Sequence, residues 1–133
     1  MSWQEYVDNN LMCVVDHEGN TLSSAALIGL EDQRIWAKSA DFPEISPTQV
    51  AAMKSILGGG ENPGSFLIGD VKYFVVGSDD PESKLRGKCQ SGGCSVCKTT
   101  QCLVVGIWAE PVVASACNKV TEALAEYLIS VDY

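Results

Sequence analysis

The sequence predicts an α+β domain built on a central antiparallel β-sheet, with helices covering each face and the two terminal helices side by side. Three observations lead there. A capped amphipathic segment opens the chain, five short β-rich segments separated by turn residues follow residue 65, and an apolar stripe at helical spacing runs through residues 113–131. At 133 residues the chain reads as a single domain, 1–133, large enough to bury a core without disulfide or metal staples.

Ser2 followed by Glu5 is a capping box, so a helix starts at Trp3 and runs to about Met12. Trp3 and Tyr6 share one of its faces while Val7 and Leu11 mark another, so one face packs on the core and two large aromatics are left over. Next, "AALIGL" and "RIWAKS" flank "EDQ", a β-hairpin with Trp36 on its second strand. Ser46, Pro47 and Gln49 form a second helix start, with Pro at the first helical position, and the glycines at 58–60 stop that helix. The loop "GGGENPGS" is the one flexible-looking insertion. From residue 65, "SFLIG", "VKYFVVG", "KLRGKC", "CSVCKTT" and "CLVVGIW" read as the strands of an antiparallel meander. Pro111 ends the strand character, and Val113, Cys117, Val120, Leu124, Leu128 and Val131 recur at steps of three and four, the core stripe of a terminal helix.

The formal charge of −8 argues against nucleic acid and against general attraction to anionic membranes. Yet Lys84, Arg86, Lys88 and Lys98, four of the nine Lys and Arg residues, fall within fifteen positions. They are either a landing site for an acidic partner or a strand edge kept charged against aggregation. No run of eighteen apolar residues exists and "MSWQEYVDNN" is too polar for a signal peptide, so a cytosolic location is expected. His17, in the turn "DHEGN", reads as a solvated loop residue, and no Ser/His/Asp or Cys/His grouping suggests catalysis.

The segment "KCQSGGCSVCKTTQC" carries four of the six cysteines. A metal site on Cys89, Cys94, Cys97 and Cys102 is one reading, since four thiolates hold zinc or an iron–sulfur cluster elsewhere. Against it, the spacing lacks the paired knuckles of a zinc ribbon, and on a regular strand Cys94 and Cys97 point to opposite faces. No metal or other cofactor is therefore expected. Disulfides under oxidation are the second reading: Cys89 with Cys94 across the loop "QSGG", or Cys13 with Cys117 between the terminal helices, with free thiols as the working state.

If the terminal helices lie together near Trp36, then Trp3, Tyr6, Trp36, Tyr127 and Tyr133 gather into one surface. Parallel aromatics left unfilled by aliphatics suit a proline-rich ligand in the polyproline II form, whose ordering entropy is already low. Ordinary half-buried aromatics are the alternative from spacing alone. The opening "SWQEYVDNNLM", the strand "RIWAKS", the stretch "KLRGKCQSGGCSVCKTTQCLVVGIWAEP" and the ending "CNKVTEALAEYLI" resemble profilin, in that order and over essentially the whole chain.

That resemblance implies a sheet with the terminal helices on one face and shorter helices on the other, and a protein that is not an enzyme. It implies two partners, monomeric actin and the proline-rich segments of filament-elongating proteins, and an association with the cytoplasmic cytoskeleton. Carried over by position, the polyproline-binding aromatics are Trp3, Tyr6, Trp36, Tyr127 and Tyr133, and the actin-facing residues are Lys72, Arg86, Lys88, Val112, Val113, Asn118 and Lys119. Many members have an Arg on the strand after Lys72 where this chain has Gly77, so one actin-side cation is absent. Phosphoinositide headgroups are a weaker expectation, at Lys84, Arg86, Lys88 and Lys98. The remaining reading is an interaction domain of this fold that does not bind actin, which would keep the core stripe and lose either the aromatics or the basic patch.

Overall fold

A computed structural model describes residues 2–133. Helix α1 (Trp3–Tyr6) is closed at its start by the capping box, with the Ser2 hydroxyl accepting from Glu5 N–H and the Glu5 carboxylate accepting from Ser2 N–H. It continues directly into a π-helical segment, Val7–Leu11, closed by a hydrogen bond from Met12 N–H to the Val7 carbonyl at 2.9 Å. The helix expected to reach Met12 is thus wound more widely in its second half.

Among the described residues the sheet has seven strands: β1 (Ser24–Gly29), β2 (Ile35–Lys38), β3 (Ser65–Ile68), β4 (Val71–Val76), β5 (Lys84–Cys89), β6 (Gly92–Lys98) and β7 (Cys102–Ala109). They lie in the order β2-β1-β7-β6-β5-β4-β3, every neighbouring pair antiparallel. The meander is as expected except at "CSVCKTT": β6 begins two residues earlier, at Gly92, and Thr99 leaves the strand, its N–H turned back to the Cys102 carbonyl.

Helix α2 (Pro47–Leu57), with its own Ser46–Gln49 capping box, covers one face of the sheet. Its Val50, Met53 and Leu57 pack on Ile28, Phe66, Ile68, Leu85, Val96 and Val105. It is the one helix found on that side among the described residues, where shorter helices in the plural were expected. Val7, Leu11 and the terminal helix α3 (Ala114–Ser130) cover the other face over Leu27, Ala37, Cys97 and Val104. Burying a side chain such as Leu11, Leu124 or Leu128 contributes about 1.5–3 kcal/mol. Among the described residues no helix is long and apolar enough to cross a membrane.

The stripe of α3 differs from the expected one. Cys117, Leu124 and Leu128 are buried, but Val113 and Val131 flank the helix and are exposed, and Thr121 and Ala125 take the inward positions. Gly106 on β7 explains why a threonine fits: a Cβ there would lie 2.7 Å from Thr121 Cγ2 and 3.1 Å from Cys117 Sγ, so the missing side chain lets the helix approach. The Thr121 hydroxyl donates to Ser95 Oγ at 2.9 Å, which satisfies both buried groups.

Strands β1, β6 and β7 are buried on both faces and read as near-continuous apolar runs. In β4, by contrast, Tyr73 and Val75 face α2 while Lys72, Phe74 and Val76 lie open on the other side. The terminal helices do not reach that far across the sheet. One end of their face is consequently a bare, mixed aromatic and cationic surface.

Candidate functional site

The structure brings all five expected aromatics together. Trp3 is central, with ring centroids 5.8 Å from Tyr6, 4.8 Å from Trp36 and 5.0 Å from Tyr133, and Tyr127 lies 6.0 Å from Tyr6. They come from four places: Trp3 and Tyr6 from α1, Trp36 from β2, Tyr127 from the last turns of α3 and Tyr133 from the segment beyond it. Val7 and Leu11 are sealed in the core, so the helix must turn Trp3 and Tyr6 outward, and Ala37 does the same for Trp36 on its strand. Where parallel rings were expected, the rings are tilted by 39° to 87°, and the Trp3–Tyr133 pair alone of the four is edge-to-face. The neighbouring Tyr127 side chain, through hydrogen bonding, raises the Tyr6 pKa above its ordinary value.

The cationic residues are placed differently. Lys72 lies over the Phe74 ring at 5.3 Å and Lys88 over the Trp108 ring at 5.3 Å, both exposed to solvent. Lys88, Trp108, Val112 and Val113 line one open cleft of about 430 Å³; Val113 is 58% exposed, whereas Val112 is buried and forms part of its floor. Asn118 and Lys119 follow on α3, half-buried and exposed. Gly77 lies just past the end of β4 and not on it, in open space.

Arg86 and Lys84 are not free cations. Arg86 Nη2 is 3.0 Å from Glu122 Oε2 and 3.5 Å from Asp79 Oδ1, and Lys84 Nζ is 3.0 Å from Glu122 Oε1 and 3.3 Å from Asp79 Oδ2. Hydrogen bonding to Glu122 raises the Lys84 pKa, and hydrogen bonding to Lys84 lowers that of Asp79. Lys98 lines a separate cleft with Asp80, Glu122 and Glu126. The four cations read as one patch in the sequence are therefore divided: two are neutralised within the protein and one sits among acids. Glu122 had no signal in the sequence, being 36 residues from Arg86. Phe74, 58% exposed, did have one: with Tyr73 inward, alternation in "VKYFVV" turns Phe74 outward beside Lys72.

The register corrects the Cys89–Cys94 pairing. The turn between β5 and β6 is Gln90–Ser91, so Cys89 faces Gly92 and Cys94 faces Gly87. The two cysteines are diagonal neighbours, at about 7–8 Å, beyond what a disulfide spans without backbone movement. Cys94 packs on the α2 face, and Cys97 and Cys102 pack on the other, so the four sulfurs cannot share an ion. Cys117 is wholly buried and desolvation pushes its thiol up to about 12, whereas Cys13 is half-exposed with its thiol on the Asn10 carbonyl; both are free.

An antiparallel sheet with a half-exposed aromatic cluster at one end and a cation-edged apolar surface at the other presents two distinct surfaces of the kind binding modules use. The family model described as Profilin matches residues 1–133, and the chain belongs to the profilin family. It is similar to Acanthamoeba castellanii profilin IA, with 31% identity and a TM-score of 0.84 over 99% of this chain and 100% of that one. Mouse profilin IIa, solved in complex with a double repeat from the FH1 domain of mDia1, is 24% identical with a TM-score of 0.74 and full coverage of both chains. LokiProfilin1, solved in a complex with rabbit actin, shares the fold at 19% identity and a TM-score of 0.68, over 98% of this chain and 99% of that one.

Proposed function

We propose that this profilin binds monomeric actin and proline-rich segments on separate faces, and so delivers monomers to growing filaments in the cytoplasm. The observation that carries the proline-rich half is the cluster of five aromatics centred on Trp3, with Tyr127 and Tyr133 exposed and Trp3, Tyr6 and Trp36 half-buried at the rim of the core. A polyproline II helix offers flat pyrrolidine faces and unpaired carbonyls, which match tilted rings with polar edges. The actin half rests on Lys72, Phe74, Lys88, Val113, Asn118 and Lys119 around the uncovered end of the sheet, where cations steer an acidic partner and apolar atoms hold it. Because both families of residues are present, the reading of an interaction domain without actin binding is disfavoured.

Phosphoinositide binding has less support. With Lys84 and Arg86 held by Asp79 and Glu122, a headgroup would meet Lys88 alone or Lys98 among three carboxylates. The decisive experiment is tryptophan fluorescence titrated with poly-L-proline, in the parent and in Trp3→Ala. The parent should respond, and Trp3→Ala should bind at least about tenfold more weakly, as expected for a hot-spot aromatic. A silent parent would sink the platform.

A further inference from the structure

We propose that the cleft beside Trp36 is a subsite for a basic residue, so that the preferred ligand is a proline-rich segment with Lys or Arg directly beyond its prolines. This rests on the proline-rich reading above. The rings connect in the order Tyr127, Tyr6, Trp3, Trp36, and beyond Trp36 the surface falls into a cleft of about 290 Å³ lined by Glu31, Asp32, Trp36, Thr100 and Gln101. Trp36 is common to the platform and the cleft. A polyproline II ligand advances about 3.1 Å per residue, so the residue after the one on Trp36 arrives where both charged lining groups are carboxylates. A guanidinium or ammonium there has an aromatic ring on one side and acids on the other.

The cleft is held open by its own turn. Asp32 Oδ1 accepts from Arg34 N–H at 3.0 Å and Asp32 Oδ2 from the Trp36 indole N–H at 3.3 Å, bonds that hold its carboxyl below the usual carboxylate range. A Cβ on Gly29 would lie 2.0 Å from Asp32 Oδ1 and 2.6 Å from Trp36 Nε1, so glycine is what lets carboxylate and indole settle together over the strand. Arg34 offers Asp32 its backbone N–H and its charge also lowers the Asp32 carboxyl, but among the described residues no Lys or Arg side chain is ion-paired with Glu31 or Asp32.

The test compares three decaproline peptides, ending in Lys, Gln or Glu, titrated at low and high salt against the parent, Glu31→Gln and, as a charge-matched control outside the cleft, Glu18→Gln. The Lys peptide should bind the parent about two- to fivefold more tightly than the Gln peptide, the scale of an exposed ion pair, and the Glu peptide more weakly. High salt and Glu31→Gln should remove that preference, while Glu18→Gln keeps it and Gln-peptide affinity stays constant in all three proteins. Equal affinity for the three peptides overturns the subsite and leaves the platform standing. An equal loss of preference in Glu18→Gln overturns it in favour of net charge. No binding of any peptide overturns the platform itself.

Discussion

The aromatic end and the cationic end of this molecule lie on the same side of one sheet, yet they are made by opposite means. At the aromatic end, two helices and the β1–β2 hairpin crowd together, and the site is the rim of a filled core: Val7, Leu11, Leu124 and Leu128 below, Trp3, Tyr6, Trp36 and Tyr127 above. At the cationic end α3 stops short of β4, and the site is the open face of β4 with Lys88 of β5 and the start of α3 beside it. The first is positioned by packing. The second is positioned by strand alternation, and part of its charge is consumed within the protein by Asp79 and Glu122.

The largest expected effect breaks the comparison by attacking what the ends share. Leu124→Ala leaves a cavity under α3 and should cost about 2–5 kcal/mol of stability, seen as a lower denaturant midpoint. Both binding activities should fall together as the folded fraction falls. Loss of only one would show that the ends do not depend on α3 jointly.

Lys88→Glu should separate them. Actin affinity is expected to drop about tenfold, mainly in the association rate, with poly-L-proline binding unchanged; raising salt should mimic this on the actin side alone. Lys88 is a cleaner target than Arg86, whose reversal would also set two carboxylates against the new one. A parallel loss of polyproline binding would contradict the two-face description.

Phe74→Ser is a smaller test of the same end. The ring is exposed, so thermal stability should hold while actin affinity falls about three- to fivefold. Unchanged affinity would move the contact surface away from β4.

The smallest effect concerns the internal ion-pair clamp. Asp79 titrates below its ordinary value of 3.8, so its contribution is present above that value and lost as pH falls through the lowered pKa. Lys84 titrates above its ordinary 10.5, so its contribution is present below that value and lost as pH rises through the raised one. In Glu122→Gln, the stability difference from the parent should therefore be flat between about pH 5 and 9, measured by chemical denaturation. A difference that titrates near neutrality would assign it to other groups.

Much of this was legible in the chain itself. The Ser2–Glu5 and Ser46–Gln49 boxes, the hairpin around "EDQ" and the five later strands are local features, because capping, turn chemistry and side-chain alternation act over two to five residues. Resemblance supplied the roles of the aromatics, and the structure placed them in one cluster. What only the tertiary structure decided was long-range. It set the tilt of the rings, the Glu122–Arg86 pairing across 36 residues, and the cleft between the β1–β2 turn and Thr100–Gln101. It also set the register that parts Cys89 from Cys94, since one residue of shift in a strand reverses every side chain and no local signal in "QSGG" specifies that shift.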